Sequence, residues 1–315
     1  MAEIDLSTSE RARGFRLKPW VKALRLHQWA KNSLLVVPAL LSHTLGADAL
    51  ASLALAFIGL GLAASGTYVV NDVLDRADDA RHPTKRRRPF ASGALSPAQG
   101  WLAAATLIIT GLALATYAGA GGPTAAYLLI TLGYSFGLKR VVLMDAAIIG
   151  GLFTVRLWIG ASAVDAPLTI WLTFFSLTVF FSLAMAKRHV ELVRRAEAGD
   201  LTPLPGRDYA ARDVRLTASF GIAGAIMSVV VFANYLFQTA YPSGIYARPD
   251  LLWIALAAIV AWLMRIWVLA DRGRLSDDPV VFALKDRASY GLGAVAVGAV
   301  AAATFGGGAP EWLTL

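Results

Sequence analysis

The sequence predicts an all-α integral membrane protein of nine transmembrane helices, with its chemistry gathered on the cytoplasmic side. Three observations carry that prediction. Of 315 residues, 57% are hydrophobic and only 16% charged, with a mean hydropathy of +0.58, more apolar surface than a water-soluble domain of this length hides. The apolar residues fall into runs of spanning or near-spanning length near 32–46, 51–70, 97–117, 123–138, 142–163, 168–186, 216–237, 250–269 and 288–306, each measured against the roughly 20 residues that cross a bilayer. With the N-terminus inside, every Lys and Arg except Arg156, Arg248 and Arg265 falls on the inner connections, as the positive-inside rule requires.

Taken in order, residues 1–14 form a polar tail. From Phe15 to His27, Phe15, Leu17, Trp20, Val21 and Leu24 interleave with Arg16, Lys18, Lys22 and Arg25, the pattern of an amphipathic helix lying in the membrane interface. Residues 1–27 are therefore set apart from a membrane domain over 28–315. Met1 to Arg25 has no short apolar core before a small-residue cleavage site, which argues against a cleaved signal peptide. Gln28-Trp29-Ala30-Lys31-Asn32 opens the first span. Trp29 reads as an interfacial anchor, and Lys31 and Asn32 either snorkel to the headgroups or reach a phosphate there.

The second span runs straight into Asn71-Asp72-Val73-Leu74-Asp75-Arg76-Ala77-Asp78-Asp79. If the helix continues, Asn71, Asp75 and Asp79 share one face and Asp72 lies beside it. Four carboxylates this close repel one another unless a cation holds them. Oxygen donors without Cys or His suit Mg2+ rather than zinc, and Mg2+ keeps positions open for phosphate oxygens. Arg81, His82, Lys85, Arg86, Arg87 and Arg88 follow at once and would hold the rest of a phosphorylated substrate. A solvated loop with acids and bases paired is the plain alternative; the helical spacing of the acids favours the metal-phosphate site.

Three further inner connections are charged. At the end of the sixth span, Lys187, Glu191 and Arg195 stand four apart, with Arg188 three from Glu191, either a helix-ending ion-pair ladder or a half-site facing the acidic motif. Asp277-Asp278-Pro279 reads as the cap of a following helix. Tyr134, Lys139, Arg140 and Asp145 occupy a short connection in which Lys139 could reach a phosphate. Arg156 lies within the fifth span, about 16 Å beyond Asp145 at roughly 1.5 Å per residue, and must pair or line a polar cavity. Arg265 lies near the end of its span and snorkels.

The absence of Cys excludes disulfide and thiolate chemistry. The net charge of +8 suits anionic lipid or phosphorylated substrates, and nucleic acid is not expected because the bases are tied to membrane loops. No phosphate-binding glycine loop, dinucleotide fingerprint or nucleophile elbow is present. The sequence is compatible with a homo-oligomer.

Asn71-Asp72-Val73-Leu74-Asp75 through Asp79 matches an NDxxDxxxD signature, and Arg88-Pro89-Phe90-Ala91-Ser92-Gly93 matches its RPxxSG continuation. In these motifs and in its nine spans the chain resembles the UbiA superfamily of intramembrane prenyltransferases over nearly its whole length. Gln28 to Asn32, His82-Pro83-Thr84-Lys85 and Lys187 to Leu192 are similar to the branch containing decaprenyl-phosphate phosphoribosyltransferase. The resemblance implies a UbiA-like bundle in a bacterial plasma membrane. It implies Mg2+-dependent transfer of 5-phosphoribose from phosphoribosyl diphosphate to a polyprenyl phosphate, a step in cell-envelope biosynthesis. Asn71, Asp75 and Asp79 would hold the metal, assisted by Asp72. Lys31, Asn32, Lys85, Arg87, Arg88, Tyr134, Lys139, Arg156, Lys187 and Arg188 would meet substrate, and Glu191 would orient ribose hydroxyls or complete the metal shell. The family's second acidic motif, DxxxD, is replaced by Lys187…Glu191, which favours a substrate with an additional phosphate. Prenyl transfer to an aromatic or small polar acceptor is the rival from the superfamily motif alone. A transporter using Arg156 and the acidic cup is the rival from another class; inverted repeats, which would mark one, are not visible.

Overall fold

A computed structural model describes residues 17–42, 44–81, 84–200, 202–204, 206–275, 279–283 and 285–306. The polar tail, Phe15, Arg16, His82, Pro83, the Asp277–Asp278 cap and the C-terminal tail from residue 307 lie outside the described residues. All regular structure among the described residues is helical.

A short helix α1 (Leu17–Leu24) leads into a 3-10 helix (Leu26–Leu35) and then α2 (Val36–Leu41). Two long apolar runs follow as α3 (Ala47–Leu74) and α5 (Pro97–Tyr117), separated by α4 (Arg76–Arg81) and a 3-10 turn at Lys85–Arg87. Next come α6 (Gly121–Phe136), a 3-10 turn at Leu138–Arg140, α7 (Met144–Ala163) and α8 (Ile170–Glu197). Beyond α8, α9 (Val214–Tyr235) passes through a π-turn into α10 (Tyr241–Ser243), and α11 (Leu252–Asp271), α12 (Pro279–Ala283) and α13 (Arg287–Phe305) complete the chain.

The caps explain several boundaries. Ser96 and Gln99 form a reciprocal capping box with Pro97 at the first turn of α5, which satisfies two otherwise orphaned N–H groups. Asp286 accepts from the Ser289 N–H at 2.8 Å to start α13.

Seven helical stretches among the described residues are long and apolar enough to cross a membrane. The chain is therefore a multi-pass membrane protein. The first expected span is a 3-10 helix followed by six residues of α-helix, and the fourth is the 16-residue α6; neither reaches crossing length by itself. Pro38 sits inside α2 and has no N–H to give a longer helix.

Without a hydrophobic drive between helices inside lipid, close packing needs small residues. At the crossing of α3 and α5, a Cβ on Gly59 would lie 2.8 Å from the Gly111 carbonyl oxygen, and one on Gly111 would lie 2.5 Å from the Gly59 oxygen. Likewise Gly160 of α7 leaves room only for the Leu35 carbonyl of the first 3-10 helix. That contact seats Asn32, three residues earlier, beside α7. One core joins α2, α3, α6 and α7, and another joins α7, α8, α9 and α11. α7 is shared by both and is the most buried span, at 61% of its apolar window, against 17% for α13. Leu17 and Val21 of α1 are exposed, while Trp20 packs edge-on to Phe90.

Candidate active site

α3 carries the acidic motif out of its apolar run. The helix breaks at Asp75 (φ −81°, ψ 2°), yet the Asp75 and Asp79 N–H groups still bond to the Asn71 and Asp75 carbonyls at 2.9 Å each. The four-residue periodicity therefore survives the break. Asn71, Asp75 and Asp79, together with Asp78, line a cavity of about 570 Å3.

Cations from other elements close the carboxylates. Lys139 lies 3.2 Å from Asp75, which also accepts from Asn71 Nδ2 at 3.1 Å. Arg88 donates to Asp79 at 2.7 Å. Asp72 points elsewhere: it is 2% exposed and does not line the cavity. Its Oδ1 accepts from Arg25 at 2.6 Å and from Arg88 at 3.1 Å. Asp72 therefore holds two cavity arginines in place. Arg25 reaches it from a left-handed residue (φ 51°) between α1 and the 3-10 helix and stacks over the Tyr68 ring.

Eight cations line the cavity, Arg25, Lys31, Lys85, Arg88, Lys139, Arg140, Arg156 and Arg207, against the three carboxylates Asp75, Asp78 and Asp79. Burial first, then the neighbouring Arg88, holds the Lys85 ammonium below the usual lysine pKa. Tyr127, Ile149, Leu152 and Phe153 form an apolar wall behind them.

The structure brings Lys31, Asn71, Asp75, Asp79, Lys85, Arg88, Tyr134, Lys139 and Arg156 to this one cavity and leaves others outside its lining. Arg87 is exposed, and its carbonyl accepts from Lys22 at 2.5 Å. Asn32 is buried behind Arg156 and accepts from its Nε at 3.4 Å. Lys187, Arg188 and Glu191, expected to face the acidic motif, do not line the cavity. Arg188 is 1% exposed and donates to Asp145 at 2.7 Å and to Glu191 at 2.6 Å. The fully buried Asp145 neutralises the cation that the half-site was to present, so this end of α8 reads as the ion-pair ladder, tied to α7.

Asp145 also anchors the loop between α8 and α9. Its Oδ1 accepts from the Tyr209 hydroxyl at 2.7 Å, and Arg207 Nε lies 3.4 Å from its Oδ2. Burial and the Asp145 carboxylate raise the Tyr209 pKa above the usual value, so the hydroxyl stays a donor. Arg207 then donates to the Tyr134 hydroxyl at 3.1 Å and lines the cavity. Arg25, Asp78, Arg140 and Arg207 are the charged cavity residues that sequence reasoning missed, and Tyr127 and Thr131 are among the uncharged ones. Asp78 sits inside the acidic motif, and an arginine in a connection between helices carries no mark of which way it points.

Asn71, Asp75, Asp78 and Asp79 offer the cavity oxygen donors only, the set that hard divalent cations take. Among the described residues, no three His, Cys, Asp or Glu side chains stand close enough together to hold a metal ion. A metal would take over Asp75 from Lys139 and Asp79 from Arg88.

Residues 33–285 match the UbiA prenyltransferase family. The chain belongs to that family. The solved UbiA homolog from Archaeoglobus fulgidus bound to GPP and Mg2+ superposes with a TM-score of 0.65 at 14% identity, covering 90% of this chain and 97% of the homolog. The uncharacterized protein y4nM of Sinorhizobium fredii is 38% identical over 93% of this chain, which spans 57% of that protein's length. Nodulation protein NoeC of Azorhizobium caulinodans is 34% identical, over 86% of this chain and 88% of NoeC. Decaprenyl-phosphate phosphoribosyltransferase of Mycolicibacterium smegmatis is 30% identical, over 90% of this chain and 92% of that enzyme. The chain is thus an enzyme of the UbiA family, built as a multi-pass membrane bundle around the acidic-basic cavity.

Proposed function

We propose that this UbiA-family enzyme transfers 5-phosphoribose from phosphoribosyl diphosphate to a polyprenyl phosphate and releases diphosphate. One observation carries the reading: eight cations share a cavity with three carboxylates. A prenyl diphosphate brings a single charged end. A diphosphate, a 5-phosphate and a lipid phosphate together give that many cations partners. The 30% identity to a decaprenyl-phosphate phosphoribosyltransferase supports the same reaction class.

Asn71, Asp75 and Asp79 would hold Mg2+, which supplies positive charge to the leaving diphosphate. Lys139 and Arg88, released from their carboxylates, bind the diphosphate oxygens, and Lys85 and Arg207 bind the remaining donor phosphate. The lipid-phosphate oxygen attacks ribose C1 as the bond from C1 to the diphosphate oxygen breaks. The ribose passes through an oxocarbenium-like state, and the acceptor, already an anion, needs no strong base. The polyprenyl chain enters from the bilayer between helices, beside the apolar wall. In this reading all nine apolar segments cross the plasma membrane of a bacterium, and the cavity opens to the cytoplasm, where phosphoribosyl diphosphate is soluble.

Purified protein in lipid nanodiscs should make a radiolabelled lipid from labelled phosphoribosyl diphosphate, polyprenyl phosphate and Mg2+. Absence of that lipid would falsify the assignment. The wall of Tyr127, Ile149, Leu152 and Phe153 favours prenyl transfer as the second reading. Product from a labelled prenyl diphosphate and an aromatic acceptor, with none from phosphoribosyl diphosphate, would select it.

A further inference from the structure

Arg156 is a buried cation without an anion. It lies inside the membrane-spanning α7 and is 5% exposed. Its guanidinium donates to the Leu152 carbonyl at 2.6 Å, the Tyr127 hydroxyl at 3.2 Å and Asn32 Oδ1 at 3.4 Å, all neutral groups. It also rests against the Tyr127 and Phe153 rings, 5.0 and 5.1 Å from their centroids. No carboxylate among the described residues lies within ion-pair distance of it. A guanidinium has five N–H donors, so two remain unused beside the cavity it lines. Arg188, equally buried, is closed by two carboxylates. A buried charge left uncompensated costs several kcal/mol, and an arginine within a membrane span marks a functional site by default.

Two further polar groups at this place lack partners. Thr131 lines the cavity and is 9% exposed, and its Oγ1 is buried without a hydrogen bond. It stands one turn from Tyr127 on the same face of α6 and lines the same cavity as Arg156. Asn32 Nδ2, adjacent to the guanidinium, is likewise buried and unbonded.

We propose that Arg156 and Thr131, with Asn32 holding the guanidinium from behind, form a second anion subsite in the cavity, away from the acidic motif, that takes a phosphate monoester. Resting on the phosphoribosyl-transfer reading, the proposal allows two sources for that group: the 5-phosphate of the donor or the phosphate of the lipid acceptor. Either would supply the missing charge, accept the two free guanidinium N–H groups in bidentate fashion, and accept from the Thr131 hydroxyl.

Calorimetric titration of the full-length protein in nanodiscs with ribose 5-phosphate, and separately with farnesyl phosphate, tests this without turnover. One of the two should bind the wild type, lose about tenfold or more in affinity in Arg156→Gln, and lose about threefold in Thr131→Val. The probe that shows those losses identifies the source. Thr131→Val keeps the shape and removes a hydroxyl that has no protein partner. It should melt no lower than the wild type, so its loss of affinity cannot come from misfolding even if Arg156→Gln folds poorly. Unchanged affinity for both probes in both variants, or no binding of either by the wild type, overturns the subsite. Arg156-dependent binding without any transfer product would sink the reaction and leave the subsite standing; product with unaltered binding in the variants would do the reverse.

Discussion

α3 and α8 are both 28-residue helices whose apolar runs continue into charged ends, and the two ends are used oppositely. At the end of α3, Asp75 and Asp79 are balanced by Lys139 and Arg88, and all four line the cavity. Asp75, Lys139 and Arg88 are partly open to the cavity, while Asp79 is 3% exposed beneath Arg88; on the proposed reading, a bound metal and phosphate would exchange these partners. At the end of α8, Arg188 is balanced by Asp145 and Glu191 in a place 1% exposed. It lies outside the cavity lining, and the pairing fastens α8 to α7 and, through Tyr209 and Arg207, the following loop to the cavity rim. Similar spacing of acids and bases thus gives an exchangeable site at one helix end and a fixed joint at the other.

Breaking the fixed joint should have the largest effect. Arg188→Met leaves Asp145 charged, fully buried and short of its main partner, and should cost about 3–5 kcal/mol of stability, read by thermal or denaturant unfolding in micelles. Adding Asp145→Asn should recover most of that loss. Melting at the wild-type temperature in Arg188→Met would mean that the joint is not structural. At the exchangeable end, Asp75→Asn should lower kcat by about 100- to 1000-fold, the scale of losing one electrostatic stabiliser of the leaving group. Its melting should stay close to that of the wild type, because Asp75 is partly open to the cavity. Loss of folded protein would show instead that the motif is structural.

Seven of the nine expected spans were legible, because a long apolar run admits few structures in lipid. The expected 97–117 is α5 residue for residue, and the last span differs by one residue at each end. The acidic motif was legible for a local reason, since i,i+4 spacing persists through the break at Asp75. What was not legible depended on distant partners. Asp145 decides that Arg188 faces inward to a carboxylate, and nothing within the Lys187–Glu191 stretch signals that. Arg25 and Arg207 reach the cavity from a left-handed joint and a loop, whereas hydropathy says only on which side of the membrane an arginine lies. Arg156 was legible in kind, as a charge where lipid would surround it, but its neutral partners appear only in the fold.

Asp72 sharpens the comparison, because it is a fixed residue inside the exchangeable motif. It holds Arg25 and Arg88 from behind, so Asp72→Asn should raise the donor KM about tenfold, the cost of weakening hydrogen bonds to charged groups, with little change in kcat. An equal fall in kcat would place Asp72 among the groups that act on the leaving diphosphate.

The smallest expected effect concerns protons at the exchangeable end. Burial, and after it Arg88, lowers the Lys85 pKa, so the ammonium is charged below the shifted value and neutral above it. The donor KM should therefore rise by a few-fold on the alkaline side, beginning below the ordinary lysine pKa of about 10.4. Lys85→Arg should remove that limb, because a guanidinium stays charged throughout. The sign for stability is opposite. A lysine whose folded pKa is lowered binds fewer protons folded than unfolded across the window, so its contribution to stability rises with pH there. Donor affinity that falls while the melting temperature holds or rises would place the titrating group in the cavity; both falling together, or the limb persisting in Lys85→Arg, would place it elsewhere.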